Sequence, residues 1–404
     1  MRGEFELKAK EILARRVGHR CSNPHCRRPT DGPRTDLAME VAAGVVACIV
    51  AASPGGPRYD PTLSRDERSS VDNGIWLCQE CARRADSDEQ HYTVDRLRRW
   101  KCRAEGAHLA DLGETYLNRG DARRAIGAFE QALAVARRIG DRGMEGNALG
   151  NLGVAHRRLG GVRQAIEAGE QALAIAREVG DRRSEGAHLG NLGLAYRHLG
   201  EVRKAIECHE WALVIAREVG DRRSEGVHLG NLGNDCYALG ELSRAIDHYE
   251  QALEITREIG DRRVVGSQLG NLGSAYRDLG EMQKAAETFE RALEIARQVG
   301  DRRGEGSRLS NLGNAYFELG EAQRAVECYE GALAIAREIG DRRIEGNTLA
   351  NLGLLARELG EMPRARRLFH RALRIFEDIE HPSAVRVRLW LVELGPIGIG
   401  GLLH

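Results

Sequence analysis

Four of the nine cysteines in this chain fall into two close pairs, Cys21-x4-Cys26 and Cys78-x2-Cys81. Thiolates paired at such spacings, with about fifty residues between the pairs, favour one tetrahedral ion, zinc above all, closed by four protein ligands and structural in role. An odd total of cysteines fits metal ligation in a reducing compartment better than a disulfide framework. The other five, Cys48, Cys102, Cys208, Cys236 and Cys328, stand singly and read as packing residues.

Between and after the pairs, "DLAMEVAAGVVACIVAA" (36–52) reads as β-rich, a hairpin, and "DNGIWLCQECARRAD" (72–86) as a turn carrying Asn73, then a knuckle leading into a helix. Knuckle, hairpin, asparagine and helix together resemble the His-Asn-His (HNH) endonucleases with a ββα-metal core. The stretches "SPGGPRYDP", "ERSSVDNGIWLCQECA" and "YTVDRLRRWK" resemble a bacterial group of these domains that precedes sensor or repeat regions. The resemblance spans roughly residues 15 to 102.

That resemblance implies a general base to activate water, a divalent ion such as magnesium on the scissile phosphate, and a residue that orients the base. The base position, a histidine in the family, is Cys48 here, within Ala47-Cys48-Ile49. Asn73 matches the orienting asparagine, and Ala82 stands where many members carry a metal-binding histidine. The expected head is therefore a degenerate nuclease, with His25 and His91 as the nearby replacement bases. Arg27, Arg28, Arg58, Arg83 and Arg84 are its candidate phosphate contacts, should the head meet DNA.

These residues sit in a chain of 404, 30% charged and 5% aromatic, with 48 glycines against 9 prolines. This balance suits neither a β-sandwich nor a disordered chain, and it suits a helical solenoid. Basic and acidic residues cancel at 60 each, so no overall field draws the molecule to nucleic acid or membrane. Residues 1–104 carry 19 basic against 15 acidic side chains, a mild local excess. No run of about 18 apolar residues exists, and "MRGEFELKAKEILARR" lacks the apolar core of a leader, so the chain reads as cytoplasmic and not membrane-bound.

From residue 105 the sequence repeats every 40 residues, in seven units that begin at 105, 145, 185, 225, 265, 305 and 345. Each unit carries two helical patterns closed by glycines such as Gly200 and Gly220. One such hairpin cannot bury its apolar face, so the units must stack. Gly153, Gly160, Ala165, Ala172 and their equivalents, with Tyr116, Tyr196 and Tyr276, resemble the tetratricopeptide repeat (TPR), in the 40-residue form of kinesin light chains and Pins-type adaptors. The expected fold is mainly α, a right-handed superhelical solenoid over 105–384, with a small α+β zinc-bound head over 1–104 and a capping helix and Gly-rich tail over 385–404. Repeat four departs from its neighbours, with Asp235 and Cys236 where repeat three has Ala195 and Tyr196, and local irregularity is expected there.

In such an array, ligands meet the wall of first helices. Asn151, Asn191, Asn231, Asn271, Asn311 and Asn351 recur at one position of that wall. A primary amide both donates and accepts, so a ladder of them can hold the main chain of an extended peptide whatever its side chains. In the resembling families such a row contacts bound peptide. The competing reading is that each amide bonds the neighbouring repeat and serves stacking. The "GDRR" turns read as a charged, solvated edge.

Two functions follow as expectations. The first is an interaction protein: a peptide- or protein-binding scaffold or sensor with a zinc-stabilised, catalytically degenerate head that binds DNA at most. The alternative is an active, metal-dependent DNA-cutting effector of the kind expected in bacterial defence, regulated by the array. The apolar Gly-rich tail leaves self-association open.

Overall fold

The structure, a computed structural model, describes residues 5–30 and 44–395. The chain divides into two compact units, Met1–Glu201 and Val202–His404. None of the helices among the described residues is long and apolar enough to cross a membrane.

Unit one opens with the head: helix α1 (Leu7–Arg16), strand β1 (Gly44–Cys48), helix α2 (Arg65–Ser69), strand β2 (Gly74–Cys78) and helix α3 (Gln79–Ser87). The two strands pair antiparallel, Gly44 opposite Cys78 and Cys48 opposite Gly74. Strand β1 lies in the β-rich stretch 36–52, whose first residues, 36–43, on which the other arm of the expected hairpin falls, lie outside those described. The partner of β1 is the "GIWLC" segment, which the sequence presents as turn and knuckle. Every residue of β2 is buried, so its sequence is a short apolar run without the alternation that announces a half-exposed strand. Ile49, Ile75, Leu77 and Ala85 form the head's core together with Leu97 and Trp100.

Those last two residues belong to α4 (Val94–Asn118), capped at its start by the Thr93 side chain. One unbroken helix thus serves the head with its first turns and the first repeat with its last. The remaining helices of unit one are α5 (Ala122–Ile139), α6 (Arg142–Arg158), α7 (Val162–Val179) and α8 (Arg182–Leu199). Unit two holds α9 (Val202–Glu218), α10 (Arg222–Ala238), α11 (Leu242–Ile259), α12 (Arg262–Asp278) and α13 (Met282–Gln298). It continues with α14 (Arg302–Glu318), α15 (Ala322–Glu338), α16 (Arg342–Glu358), α17 (Met362–Asp378) and α18 (Ser383–Glu393).

The Gly-Asp pair that ends each of the first six repeats is two caps in succession. Gly140 closes α5 at φ 65°, a left-handed conformation that side chains resist, and Asp141 opens α6 by accepting the Met144 N–H at 3.0 Å. The same pair acts at 180–181 and 260–261. One residue on each side of the peptide bond therefore turns the chain from one helix into the next.

In the "DRRxEG" sequence that follows, the arginines of the turn are exposed, in keeping with a solvated edge, while the glutamate beyond them is a buried clamp. Glu145 is buried, and its carboxylate accepts from Arg137 Nε at 2.9 Å and Arg142 Nη1 at 2.6 Å. Burial alone would raise its pKa, but these two guanidiniums hold it below the usual carboxylate range. Glu185, Glu225, Glu305 and Glu345 repeat the arrangement.

Tyr249, Phe289, Tyr329 and Phe369 anchor the repeats of unit two, all fully buried. Each presses on a glycine of the preceding helix: a Cβ on Gly233 would lie 2.5 Å from Tyr249 Cε1. Glycine is required there for close approach rather than for a turn. In unit one Phe129 covers Gly113 in the same way, while position 169 is itself glycine and Leu192 fills the gap. Helix α18 packs on the last repeat with Ala384 and Val387. The Gly-rich tail, 396–404, lies outside the described residues.

Candidate functional site

The four paired cysteines meet. Cys21, Cys26, Cys78 and Cys81 bring their Sγ atoms within 4.8 Å of one another, with Cys26 Sγ 3.9 Å from Cys78 Sγ. An ion with metal–sulfur bonds of about 2.3 Å in a tetrahedron would set its sulfurs about 3.8 Å apart, so the group can hold a metal ion such as zinc. Each pair is fixed by backbone. The Cys21 N–H donates to Arg28 O at 3.0 Å and the Cys26 N–H to Asn23 O at 3.0 Å, while Ser22 N–H ties the first knuckle to Trp76 O on β2 at 2.9 Å. Cys78 ends β2 and Cys81 lies in the first turn of α3.

Burial pushes the Cys21 thiol up, and the Cys81 thiol up to about 11. With Cys21 and Cys81 held protonated by burial the group cannot ionise fully by itself, and a dication would reverse that preference by binding the thiolates. Asn23 Nδ2 lies 3.2 Å from Cys81 Sγ and supplies a donor of the kind that orients metal ligands.

The two nuclease-like positions lie at the other end of the strand pair, where Cys48 stands opposite Gly74, the residue after Asn73, while Cys78 stands opposite Gly44. Asn73 is buried, and its side chain is wholly engaged with backbone: Oδ1 accepts the Val50 N–H at 2.8 Å, while Nδ2 donates to Val50 O and Arg68 O, each at 2.8 Å. Its own carbonyl accepts the Ile49 N–H at 2.8 Å. Asn73 therefore pins the chain just after Cys48. Cys48 is half-buried and lines a cavity of about 270 Å³ with Ala82, Asp86 and the Ser53–Pro57 loop. Neither His25 nor His91 lines it; both line a separate cleft.

Arg58, expected as a phosphate contact, is instead a buried tie. Its side chain is 4% exposed and donates to Ile49 O at 2.8 Å, Ala85 O at 2.6 Å and Cys48 O at 3.2 Å, beside Asp86. Arg28 and Arg84 pair with Glu80. Of the head's arginines Arg58 thus serves the fold, whereas Arg28 and Arg84 make their pairs at the surface.

On the array, all six asparagines of the expected row are half-buried on first helices: Asn151 and Asn191 in unit one, Asn231, Asn271, Asn311 and Asn351 in unit two. Two of them spend a donor within the protein. Asn271 Nδ2 donates to Asn234 Oδ1 at 3.0 Å and Asn351 Nδ2 to Asn314 Oδ1 at 2.8 Å. The same two oxygens accept the buried Tyr249 and Tyr329 hydroxyls, at 2.8 and 2.7 Å. The signal was in the repeats: tyrosine at 249 and 329 accompanies asparagine at 234 and 314, whereas phenylalanine at 289 and 369 accompanies Ser274 and Leu354.

A Tetratricopeptide repeat family model matches residues 104–178, 184–258, 266–338 and 307–378, and a second Tetratricopeptide repeat model matches 231–299. The chain belongs to the tetratricopeptide repeat family. Among solved structures, BtubC (BKLC) from P. vanneervenii is 26% identical, with a TM-score of 0.50 over 54% of this chain and 92% of that one. The STAND protein PH0952 of Pyrococcus horikoshii, with a tetratricopeptide repeat sensor, is 16% identical at TM-score 0.59, covering 81% of this chain and 54% of its own. The apo form of the quorum sensor NprR from B. thuringiensis is 16% identical at TM-score 0.51, covering 73% and 88%. No curated protein matches the chain. The tetratricopeptide matches begin at residue 104, so they describe the array and leave the cysteine-bearing head to its own geometry.

Proposed function

We infer that this tetratricopeptide protein is a sensor or scaffold: its array grips an extended segment of a partner protein, and its zinc-stabilised head keeps the outline of an HNH nuclease without the cutting chemistry. The observation that carries this reading is the asparagine row, one half-buried amide at the same first-helix position in six successive repeats. Asn271 and Asn351 still offer their carbonyl oxygens after donating to their neighbours. Of the structural neighbours, PH0952 carries a tetratricopeptide repeat sensor and NprR is a quorum sensor, in keeping with a sensing role.

In the head, four thiolates would hold zinc as a closed site that ties the first knuckle to β2 and α3, without an open coordination position for substrate. The base position is Cys48, a thiol that prefers soft metals to magnesium. Asn73 holds the strand end in place, so the frame of the degenerate site is intact while its base is exchanged.

The test assays the full chain on plasmid and linear DNA with magnesium, manganese or nickel, beside Cys48→His, and screens a peptide library against the chain and against Asn231→Ala/Asn311→Ala. Silence on DNA, with activity gained in Cys48→His and peptide binding lost in the asparagine variant, is the expected result. Cleavage by the unaltered chain would instead make it the metal-dependent effector nuclease.

A further inference from the structure

A cleft in unit one borders the first cysteine knuckle, but none of the four cysteines and none of the asparagine row lines it. Its cavity of about 760 Å³ is walled by the first knuckle at Pro24 and His25, by the first turns of α4, and by the Gly140–Arg142 turn that opens α6. Four guanidiniums line it, Arg96, Arg99, Arg103 and Arg142, against the single carboxylate of Asp141. Pro24, His25, Arg103 and Asp141 also line an adjoining cavity of about 560 Å³, where Arg27 faces Asp111.

Two of the cations, Arg103 and Arg142, are paired with carboxylates, whereas Arg96 and Arg99 have no carboxylate partner among the described residues. Arg103 Nε lies 3.1 Å from Asp141 Oδ2, and this pair uses the only acid of the larger cavity's lining. Arg142 is fixed by Glu145 and Glu178, which stand outside the lining. Arg96 is spread over Trp100 and Tyr92, its guanidinium 5.4 and 5.7 Å from the ring centroids, and Arg99 is exposed. In the adjoining cavity Arg27 Nη1 is buried with no hydrogen-bond acceptor. Two helix starts, Thr93 at α4 and Asp141–Arg142 at α6, contribute their first turns to the same wall. Helix starts carry partial positive charge, and planar guanidiniums match phosphate oxygens two at a time.

We propose that this cleft binds a small phosphate-bearing ligand, a nucleotide or a polyphosphate. Its volume falls in the range of small-molecule sites, about 300–1,000 Å³. A ligand here would touch the knuckle that carries Cys26 and the turn that opens α6, and so bridge the metal-bearing head to the array.

The experiment titrates the full chain with pyrophosphate, ATP and a short single-stranded oligonucleotide by calorimetry, at low and at moderate salt. Arg99→Glu and Arg103→Ala are compared with the unaltered chain, and circular dichroism checks that both variants fold. Pyrophosphate or ATP should bind at a single site, Arg99→Glu should weaken it roughly tenfold or more, and salt should weaken it further. Arg99 is exposed and supports no packing, so a folded Arg99→Glu variant is expected. Failure of both small probes, binding of the oligonucleotide alone, or affinity unchanged in both variants would overturn the proposal.

Discussion

His209 Nδ1 lies 2.7 Å from Asp235 Oδ2, and both side chains are wholly buried between α9 and α10. The pair occupies a place that the other repeats of unit two fill with apolar groups. Position 209 corresponds to Tyr249, Phe289, Tyr329 and Phe369, and position 235 to Ala275, Ala315 and Leu355. The irregularity expected at Asp235 is thus a compensated exchange: a carboxylate enters the core together with a histidine that meets it.

Breaking this pair from one side should be costly, and replacing it whole should not. Asp235→Ala leaves His209 buried without its acceptor, at a cost of about 1–3 kcal/mol. His209→Phe/Asp235→Ala restores what the array uses elsewhere and is expected to equal or exceed the parent in stability. Urea unfolding of the two single variants and the double variant measures the coupling, and additive effects would refute it.

A second histidine sets a pH dependence. His228, on α10 and 6.3 Å from the His209 ring, is buried with Nδ1 unpaired. Burial first, then the neighbouring His209, push its pKa down to about 4, against a smaller opposing pull from Asp221. An unfolded histidine titrates near 6.5, so below that pH the unfolded chain takes up a proton that the folded chain refuses. This contribution to stability is complete above pH ~6.5, declines as pH falls, and levels off near pH 4, by about 3 kcal/mol in all. In His228→Gln, which copies Gln268, stability should fall less steeply between pH ~7 and ~4.5. Parallel slopes for parent and variant would remove His228 as the source.

The tyrosine–asparagine pairs predict a related asymmetry. Asn234→Leu, which copies Leu194, removes the Asn234 acceptor of the buried Tyr249 hydroxyl and should cost about 1–3 kcal/mol. Tyr249→Phe leaves only the half-exposed Asn234 amide, which water can satisfy, and should cost less than about 1 kcal/mol. Adding Tyr249→Phe to Asn234→Leu should recover most of the loss, as read from thermal midpoints.

What the sequence disclosed and what it hid divide along physical lines. The helical repeats and their ends were legible because glycine and aspartate act through their own local backbone, at Gly140 and Asp141 for example. The cysteine group was legible because thiol pairs have few other uses. Strand β2 was hidden because both its faces are buried and its partner lies about 26 residues away in sequence, where no local pattern reaches. The buried roles of Arg58 and Glu145 were hidden for one reason: charged residues are usually solvated, and only the folded chain shows which carbonyl or guanidinium surrounds them.

Removing the metal should separate the head from the array. Of the four tryptophans, Trp76 and Trp100 are buried in the head, whereas Trp211 is 62% exposed on α9 and Trp390 packs on Phe369. A strong chelator should release about one zinc per chain and shift tryptophan emission to the red, with helical circular dichroism largely kept. Cys78→Ser should do the same without chelator. An emission spectrum indifferent to both treatments would refute metal-dependent folding of the head.

Stability and catalysis are entangled at Asn73 and separable at Cys48. Asn73 makes three side-chain hydrogen bonds to backbone, so Asn73→Ala is expected to destabilise the head by about 2–4 kcal/mol whether or not it has any catalytic role. Loss of DNA cleavage in that variant would therefore not distinguish an orienting residue from a structural one. Cys48→His changes a half-buried side chain at the rim of a cavity, and its effect on stability should stay within about 1 kcal/mol. Thermal midpoints of both variants check the contrast. If Asn73→Ala melts with the parent, the backbone bonds are dispensable and Asn73 regains its claim to a catalytic part.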